Sequence, residues 1–509
     1  MSEGDGVLRG RLGRAFGKER GSGPMPWRYL VLAAAGGRAG EADELLGALR
    51  TATGTERAAG LRALVEAPPG LWPVLDQRTR AHHWFGGGPD DLLGLVLRSM
   101  VRDGRVREDA VRGLTGVPGP AATCALALRT VDWVVPVRQR AREALRARLD
   151  PDEVVAAARL LLRLGGRVRA GDVLEEFRAA LTVPAQRRSV RRLAGDTDRR
   201  TRRFGVELAL ELGEYVRGDL VRTALHDRDQ VCRRLCAQRL LELDPDQAGR
   251  LMWARSAAVR ELAVDALPDD VPATRLVAPL ADRSRMVRAQ ARWKLYKRGE
   301  PPVEVYRRQV RRCGRTTPAH LVAGLAAGLG ECGDASDLPL LARLATREPH
   351  PWEPEERGPV WPPVVRRAAV RAVGRLASPD DRCRLLLPLV DEPEPSVVRE
   401  VLDALRPVAG AVPVGPVRAA VDRPEPAVRR AALRLLRAAG PWQRMEIDLE
   451  LAAGRQPEAA AEARDDLRAW LSRQVYSRPD RDRLPRLRRL LGDADLPESM
   501  RRVLAVVLR

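Results

Sequence analysis

The stretch from Arg283 to Arg315 concentrates groups able to hold a phosphate or a carboxylate. It carries Arg283, Arg285, Arg288, Arg292, Lys294, Lys297, Arg298, Arg307, Arg308, Arg311, Arg312 and Arg315, opposed only by Glu300 and Glu304. A guanidinium presents a planar fork of donors that fits either anion with two parallel hydrogen bonds. In VEVYRRQVRRCGR a helical period places Val303, Tyr306, Val310 and Cys313 on one face, with Arg307, Arg308, Arg311 and Arg312 on another. Trp293 and Tyr296 fall one helix earlier, and arginine beside aromatic rings suits a phosphate backbone or stacked bases. A solvated arginine face with its aromatics in the core accounts for the same residues. A second basic stretch, Arg187–Arg203, is offset by Asp196 and Asp198.

Three other places could carry chemistry. TREPHPWEPEERGPVWPP (346–363) holds six prolines, so it is expected to be extended and stiff, with Trp352 and Trp361 either binding a partner or clamping onto adjacent helices. HHWFGGG brings His82 and His83 together, but neighbouring residues on a helix point apart, so a helix end closed by glycine explains them better than a metal site. Cys124, Cys232, Cys236, Cys313, Cys332 and Cys383 are scattered, and Cys232 and Cys236 share a helix face without further ligands nearby. They read as buried thiols, and neither a metal nor a cofactor is expected.

Composition narrows the class. Aromatic residues make up 4% of 509 residues and the formal net charge is +21, which favours polyanions or acidic proteins as partners. Only three of the 89 basic residues are lysine, there is no asparagine, and Ile447 is the only isoleucine, a bias expected of a GC-rich genome. The apolar runs Tyr29–Ala35 and Leu321–Leu329 fall short of the ~18 residues a membrane helix needs. The basic, glycine-rich start lacks the apolar core of a secretory signal, so a cytoplasmic protein is expected.

The elements that must position these groups follow a rhythm. A Val-Arg step recurs about every thirty residues, at Val106-Arg107, Val137-Arg138, Val259-Arg260, Val287-Arg288, Val365-Arg366, Val398-Arg399 and Val428-Arg429. Asp132, Asp196, Asp227, Asp282, Asp391 and Asp422 open units and are expected to cap the helices that follow. Val287, Ala291 and Leu295 form one apolar stripe, and the arginine beside it is expected to reach the aspartate of its own or the next unit. Residues 1–24 read as a disordered basic tail and 25–100 as an atypical helical cap, with helices over 27–35, 41–51, 56–66 and 90–100. Repeats span 101–345, the Pro/Trp insertion 346–363, and further repeats with a C-terminal cap 364–509.

The Asp-Val-Arg spacing of Asp132/Val137/Arg138 and Asp282/Val287/Arg288 resembles the HEAT-repeat family, including the HEAT-like repeats of phycobilin lyases, in an Arg-rich form of actinobacterial type. The resemblance implies an all-α fold, an α-solenoid built as a right-handed superhelix of helical hairpins. It implies a scaffold more than an enzyme. No P-loop, GxSxG or CxxC pair is present, nor the paired His-Glu steps of deoxyhypusine hydroxylase. The expected function is a non-catalytic scaffold taking an acidic protein partner on its concave surface, through Arg292, Trp293, Arg307, Arg308, Arg311, Arg312, Arg315, Trp352 and Trp361. DNA or RNA binding through 283–315 is the alternative, and a HEAT-like alkylpurine DNA glycosylase a third reading.

Overall fold

The computed structural model describes residues 27–37, 39–81, 87–314, 316–346, 361–454, 457–472, 479 and 481–509. The expected tail and His82, His83, Arg315 and Trp352 lie outside these residues. Among the described residues every regular element is helical and none is a strand. The chain divides into two compact units, Met1–Leu243 and Asp244–Arg509. In each, consecutive helices pair into hairpins, as Arg217–His226 does with Gln230–Leu243 and Ala273–Leu280 with Arg285–Lys297. The second helices of successive hairpins also pack together, as Ala257–Asp265 does on Arg285–Lys297 and Pro363–Leu376 on Pro395–Leu405. The fold is therefore an all-α solenoid of helical hairpins.

The Val-Arg step places its valine in the core. Val137, Val259, Val287, Val365, Val398 and Val428 are all buried. Its arginine joins two repeats at Arg107, Arg260, Arg288 and Arg366, whereas Arg138, Arg399 and Arg429 form no ion pair among the described residues. Arg107 donates from Nε and Nη2 to the Asp132 carboxylate at 3.1 and 3.0 Å, while its Nη1 donates to the carbonyls of Val101 and Arg102. Arg260 repeats the arrangement with Asp282 at 2.7 and 2.8 Å and the carbonyls of Ala254 and Arg255, and Arg202 forks onto Asp227. Each rung thus ties the loop before one helix to the loop before the next. In the later repeats Arg366 takes Glu392 at 2.7 Å, since the Glu-Pro insertion has shifted the acid by one residue and left Asp391 exposed.

One expectation needs correcting. The repeat aspartates do not cap the following helices. Asp132, Asp196, Asp227 and Asp282 each accept the backbone N–H two residues on, from Val134, Asp198, Asp229 and Ser284. They form turns ahead of the cap position, so the carboxylate can face the arginine of the preceding repeat. Asp198 is the residue that caps its helix, accepting from Arg200 and Thr201. A further helix over Leu71–Ala81 stands between those expected over 56–66 and 90–100. Pro73 is tolerated there because first-turn N–H groups have no intrahelical acceptor.

That helix locks the N-terminal helices onto the repeats. Arg129 Nη2 donates to Asp76 at 2.5 Å and Nη1 to Asp132 at 2.8 Å, and Arg80 reaches both aspartates. Burial pushes the Asp132 carboxyl up, but Arg129, the Val134 N–H and Arg107 outweigh it and hold the group below the usual carboxylate range. Asp132→Ala, which leaves Arg107 buried without its counterion and Arg129 with Asp76 alone, is expected to destabilise the first unit by about 3–5 kcal/mol in urea unfolding. Asp132→Asn, which keeps the Val134 hydrogen bond, should recover part of that loss.

Near the C-terminus a second buried cluster joins Pro426–Ala438, Pro441–Ala453 and Pro457–Leu471. Arg437 donates to Asp448 at 2.9 and 2.6 Å, and Arg444 binds Asp466. Burial, together with a hydrogen bond to Asp466, pushes the Asp448 carboxyl up to about 8. Burial also acts against Asp466, but Arg444 and the Asp448 proton lower that group to about 2. The folded pKa of Asp448 lies above its unfolded value of about 3.9. Its contribution to stability is therefore full below about pH 4 and is lost as pH rises through about 8. Asp448→Asn should flatten the decline in unfolding free energy between these limits, by up to about 1.4 kcal/mol per pH unit relative to the parent, read by urea unfolding across pH.

Candidate functional site

The basic segment is built by three helices of the second unit, Arg285–Lys297, Pro302–Arg312 and Ala319–Cys332. The first is a Val-Arg helix. In the second, Tyr306, Val310 and Cys313 are buried as expected, but Val305 is buried in place of Val303, which is half-buried. The third has no Val-Arg step and packs by close backbone approach instead. A Cβ on Gly324 would fall 1.8 Å from the Ala281 carbonyl oxygen, and one on Gly328 would fall 2.3 Å from the Tyr306 ring. The Tyr306 hydroxyl donates to the Leu280 carbonyl at 2.9 Å, so the ring is fixed between helices and does not reach a ligand.

Most of the cations in this segment are consumed internally. Arg288 and Arg292 both bind Glu331 at the end of the Ala319–Cys332 helix, whose side chain is 4% exposed, with Arg288 Nε at 3.2 Å and Arg292 Nη1 at 2.7 Å. Burial raises the Glu331 carboxyl, and the two guanidiniums outweigh it and hold it below the usual range. Lys294 is buried, donating to the Leu267 carbonyl at 2.5 Å and to Asp269 at 3.0 Å. Arg307 is held by Asp337, Glu304 and Asp334, at 2.7, 2.8 and 3.2 Å, and its pKa is raised mainly by the Asp337 hydrogen bond. Arg292 and Arg307, expected to meet a partner, are thus engaged within the chain. Arg285, Arg308, Arg311 and Arg312 are exposed and form no ion pair among the described residues.

Trp293 and Tyr296 face solvent. They are 49% and 67% exposed, stacked with centroids 5.6 Å apart and planes 17° from parallel. The Lys297 ammonium lies 5.9 Å from the Trp293 ring centroid. Exposed Met286 lies seven residues before Trp293, on the same helix face. Trp361 goes the other way. It is 9% exposed ahead of the Pro363–Leu376 helix, as a clamp would be. The second basic stretch lies in the first unit and is largely paired. Arg187 binds Glu214 at 2.7 Å, Arg202 binds Asp227 and Arg203 binds Asp229 at 2.9 Å.

Two residues escaped the sequence reading. Trp253, in the turn before Ala257–Asp265, is 76% exposed. Glu331 was hidden because its partners lie about forty residues away. The cysteines have no reactive character. Burial pushes the thiols of Cys124, Cys232 and Cys236 up to about 12. Among the described residues no group of three His, Cys, Asp or Glu is placed to hold a metal ion. No helix of the described residues is long and apolar enough to cross a membrane.

No protein-family model matches the chain, and no curated protein matches it. Among solved structures it is similar to importin beta, at 12% identity and a TM-score of 0.38, covering 92% of this chain and 67% of that one. It is also similar to a C-terminal fragment of the Chaetomium thermophilum cohesin loader, at 14% identity and a TM-score of 0.31, covering 89% of this chain and 43% of the fragment. A third is the karyopherin Kap121p bound to Nup53p, at 13% identity and a TM-score of 0.29, covering 99% of this chain and 57% of the karyopherin. The chain thus spans about half the length of the last two.

The split between engaged and free arginines is measurable. Arg288→Ala leaves the Glu331 carboxylate with Arg292 as its close partner and is expected to cost about 1.5–3 kcal/mol in urea unfolding. The triple change Arg308→Glu, Arg311→Glu, Arg312→Glu should shift stability by no more than about 0.5 kcal/mol per site.

Proposed function

We propose that the chain is a non-catalytic HEAT-type scaffold that takes a protein partner on the concave surface of its helical array. One observation carries the reading: the Met286, Trp293 and Tyr296 face of the Arg285–Lys297 helix is left in solvent. Large rigid aromatics held in place by a folded helix lose little entropy on binding, and Trp, Tyr and Arg dominate the energetics of protein interfaces. The stacked geometry and the nearby Lys297 preorganise the pair. The raised thiol pKa values speak against nucleophilic catalysis by cysteine.

A second reading, binding of DNA or RNA, is favoured by the free Arg308, Arg311 and Arg312 on one exposed helix face. It is weakened by the engagement of Arg288, Arg292, Lys294 and Arg307 with acids of the same unit. The glycosylase reading has no residue constellation to support it among the described residues. The expected acidity of the partner fits the net charge of +21.

The test compares quantitative capture of proteins by the full chain and by the double variant Trp293→Ala, Tyr296→Ala. At least one protein should be retained by the parent and weakened about thirtyfold or more by the variant. Identical capture profiles would remove this face as the binding surface. In parallel, titration with DNA and RNA at low salt should show weak binding with a shallow salt dependence. A steep dependence abolished by the Arg308, Arg311, Arg312 charge reversal would establish the second reading instead.

A further inference from the structure

The second unit contains a groove of about 790 Å³ that belongs neither to the Trp293 face nor to the Arg308–Arg312 face. It runs along the turns that join helices within successive hairpins. Met252, Trp253, Ala254 and Arg255 come from one turn, Ala281, Asp282 and Arg283 from the next, and His320 and Leu321 from the start of the following helix. Its floor is apolar, formed by Val264, Ala278, Pro279, Ala281 and Val287. The Arg260–Asp282 rung closes it beneath, with the two charges satisfying each other at 2.7 Å.

The rim is different. Arg255, Arg275 and Arg283 are exposed, and none of the three forms an ion pair among the described residues. The one side-chain hydrogen bond they donate among the described residues goes to backbone, from Arg283 Nη2 to the Arg255 carbonyl at 3.1 Å. Trp253 stands at the edge of the same groove with most of its ring in solvent. Three uncompensated guanidiniums around an apolar floor call for an occupant with carboxylates outside and an apolar side chain inside.

We infer that this turn-edge groove docks an extended acidic segment of a protein, with an aliphatic or aromatic side chain seated on the floor against Trp253 and flanking Asp or Glu carboxylates on Arg255, Arg275 and Arg283. A nucleic acid fits less well. The groove offers one indole and the smaller His320 imidazole for stacking, and its apolar floor suits an aliphatic or aromatic side chain better than a phosphate backbone. The site is independent of the Trp293 and Tyr296 face, and each can fail without the other.

The experiment uses the full chain and a fluorescently labelled short peptide of Asp and Glu residues around a central Leu-Phe pair, read by anisotropy. Controls are the same peptide with Lys in place of its acids and a labelled oligothymidylate. The acidic peptide should bind, and the lysine peptide should not. Arg275→Glu with Arg283→Glu, and separately Trp253→Ala, should each weaken binding about tenfold or more with unchanged melting temperature. Trp293→Ala with Tyr296→Ala should leave peptide affinity unaltered, which separates this site from the scaffold face. Equal binding of acidic and basic peptides, or no effect of the groove substitutions, overturns the proposal. So does tighter binding of oligothymidylate with the same arginine dependence, since the groove would then be a nucleic-acid site.

Discussion

The architecture depends on one interaction, the buried fork between an arginine of one repeat and a carboxylate of the next. Two charges taken out of water are costly unless every donor and acceptor finds a partner. Here the loop geometry supplies those partners. The aspartate accepts a backbone N–H from its own turn, while the arginine spends its remaining donors on carbonyls of the loop before its own helix. A rung can form only when both loops are correctly placed, so it sets the register of one hairpin on the next. The valine beside the arginine then enters the core at a fixed height.

The same chemistry shapes the functional surfaces. Arginine is so abundant that each carboxylate buried between repeats removes one or two guanidiniums from the surface, as Glu331 does with Arg288 and Arg292. Local charge density is thus a poor guide to what solvent or a partner meets. What remains outside in the second unit includes free cations together with the aromatics Trp253, Trp293 and Tyr296, while Tyr29 and Trp133 are the exposed aromatics described in the first. These combinations suit acidic, partly apolar protein surfaces better than a bare polyanion.

The sequence made the repeat legible because buried valine and bridging arginine must return with each hairpin. It placed helices over 27–35, 303–313 and 321–329 within a few residues of those observed. It misassigned the aspartates because a turn that accepts the N–H two residues on and a helix cap draw on the same residue types. It could not separate Arg307 from Arg308, since the difference lies in Asp334 and Asp337, almost thirty residues further along. The Ala319–Cys332 helix was visible as an apolar run but not as a repeat, because glycine contacts replace the Val-Arg step there.

That replacement has a mechanical meaning. Several successive hairpins in the array are joined by long arginine side chains, which can tilt and stretch while keeping their bonds. Around Ala319–Cys332 the helix rests directly on the Ala281 backbone at Gly324 and on the rigid Tyr306 ring at Gly328, with no flexible side chain between them at these two points. Under a bending or pulling load within the second unit, this seam behaves as a stiff block. Deformation passes to the arginine-bridged hairpins on either side, and one of those sides is the turn-edge groove.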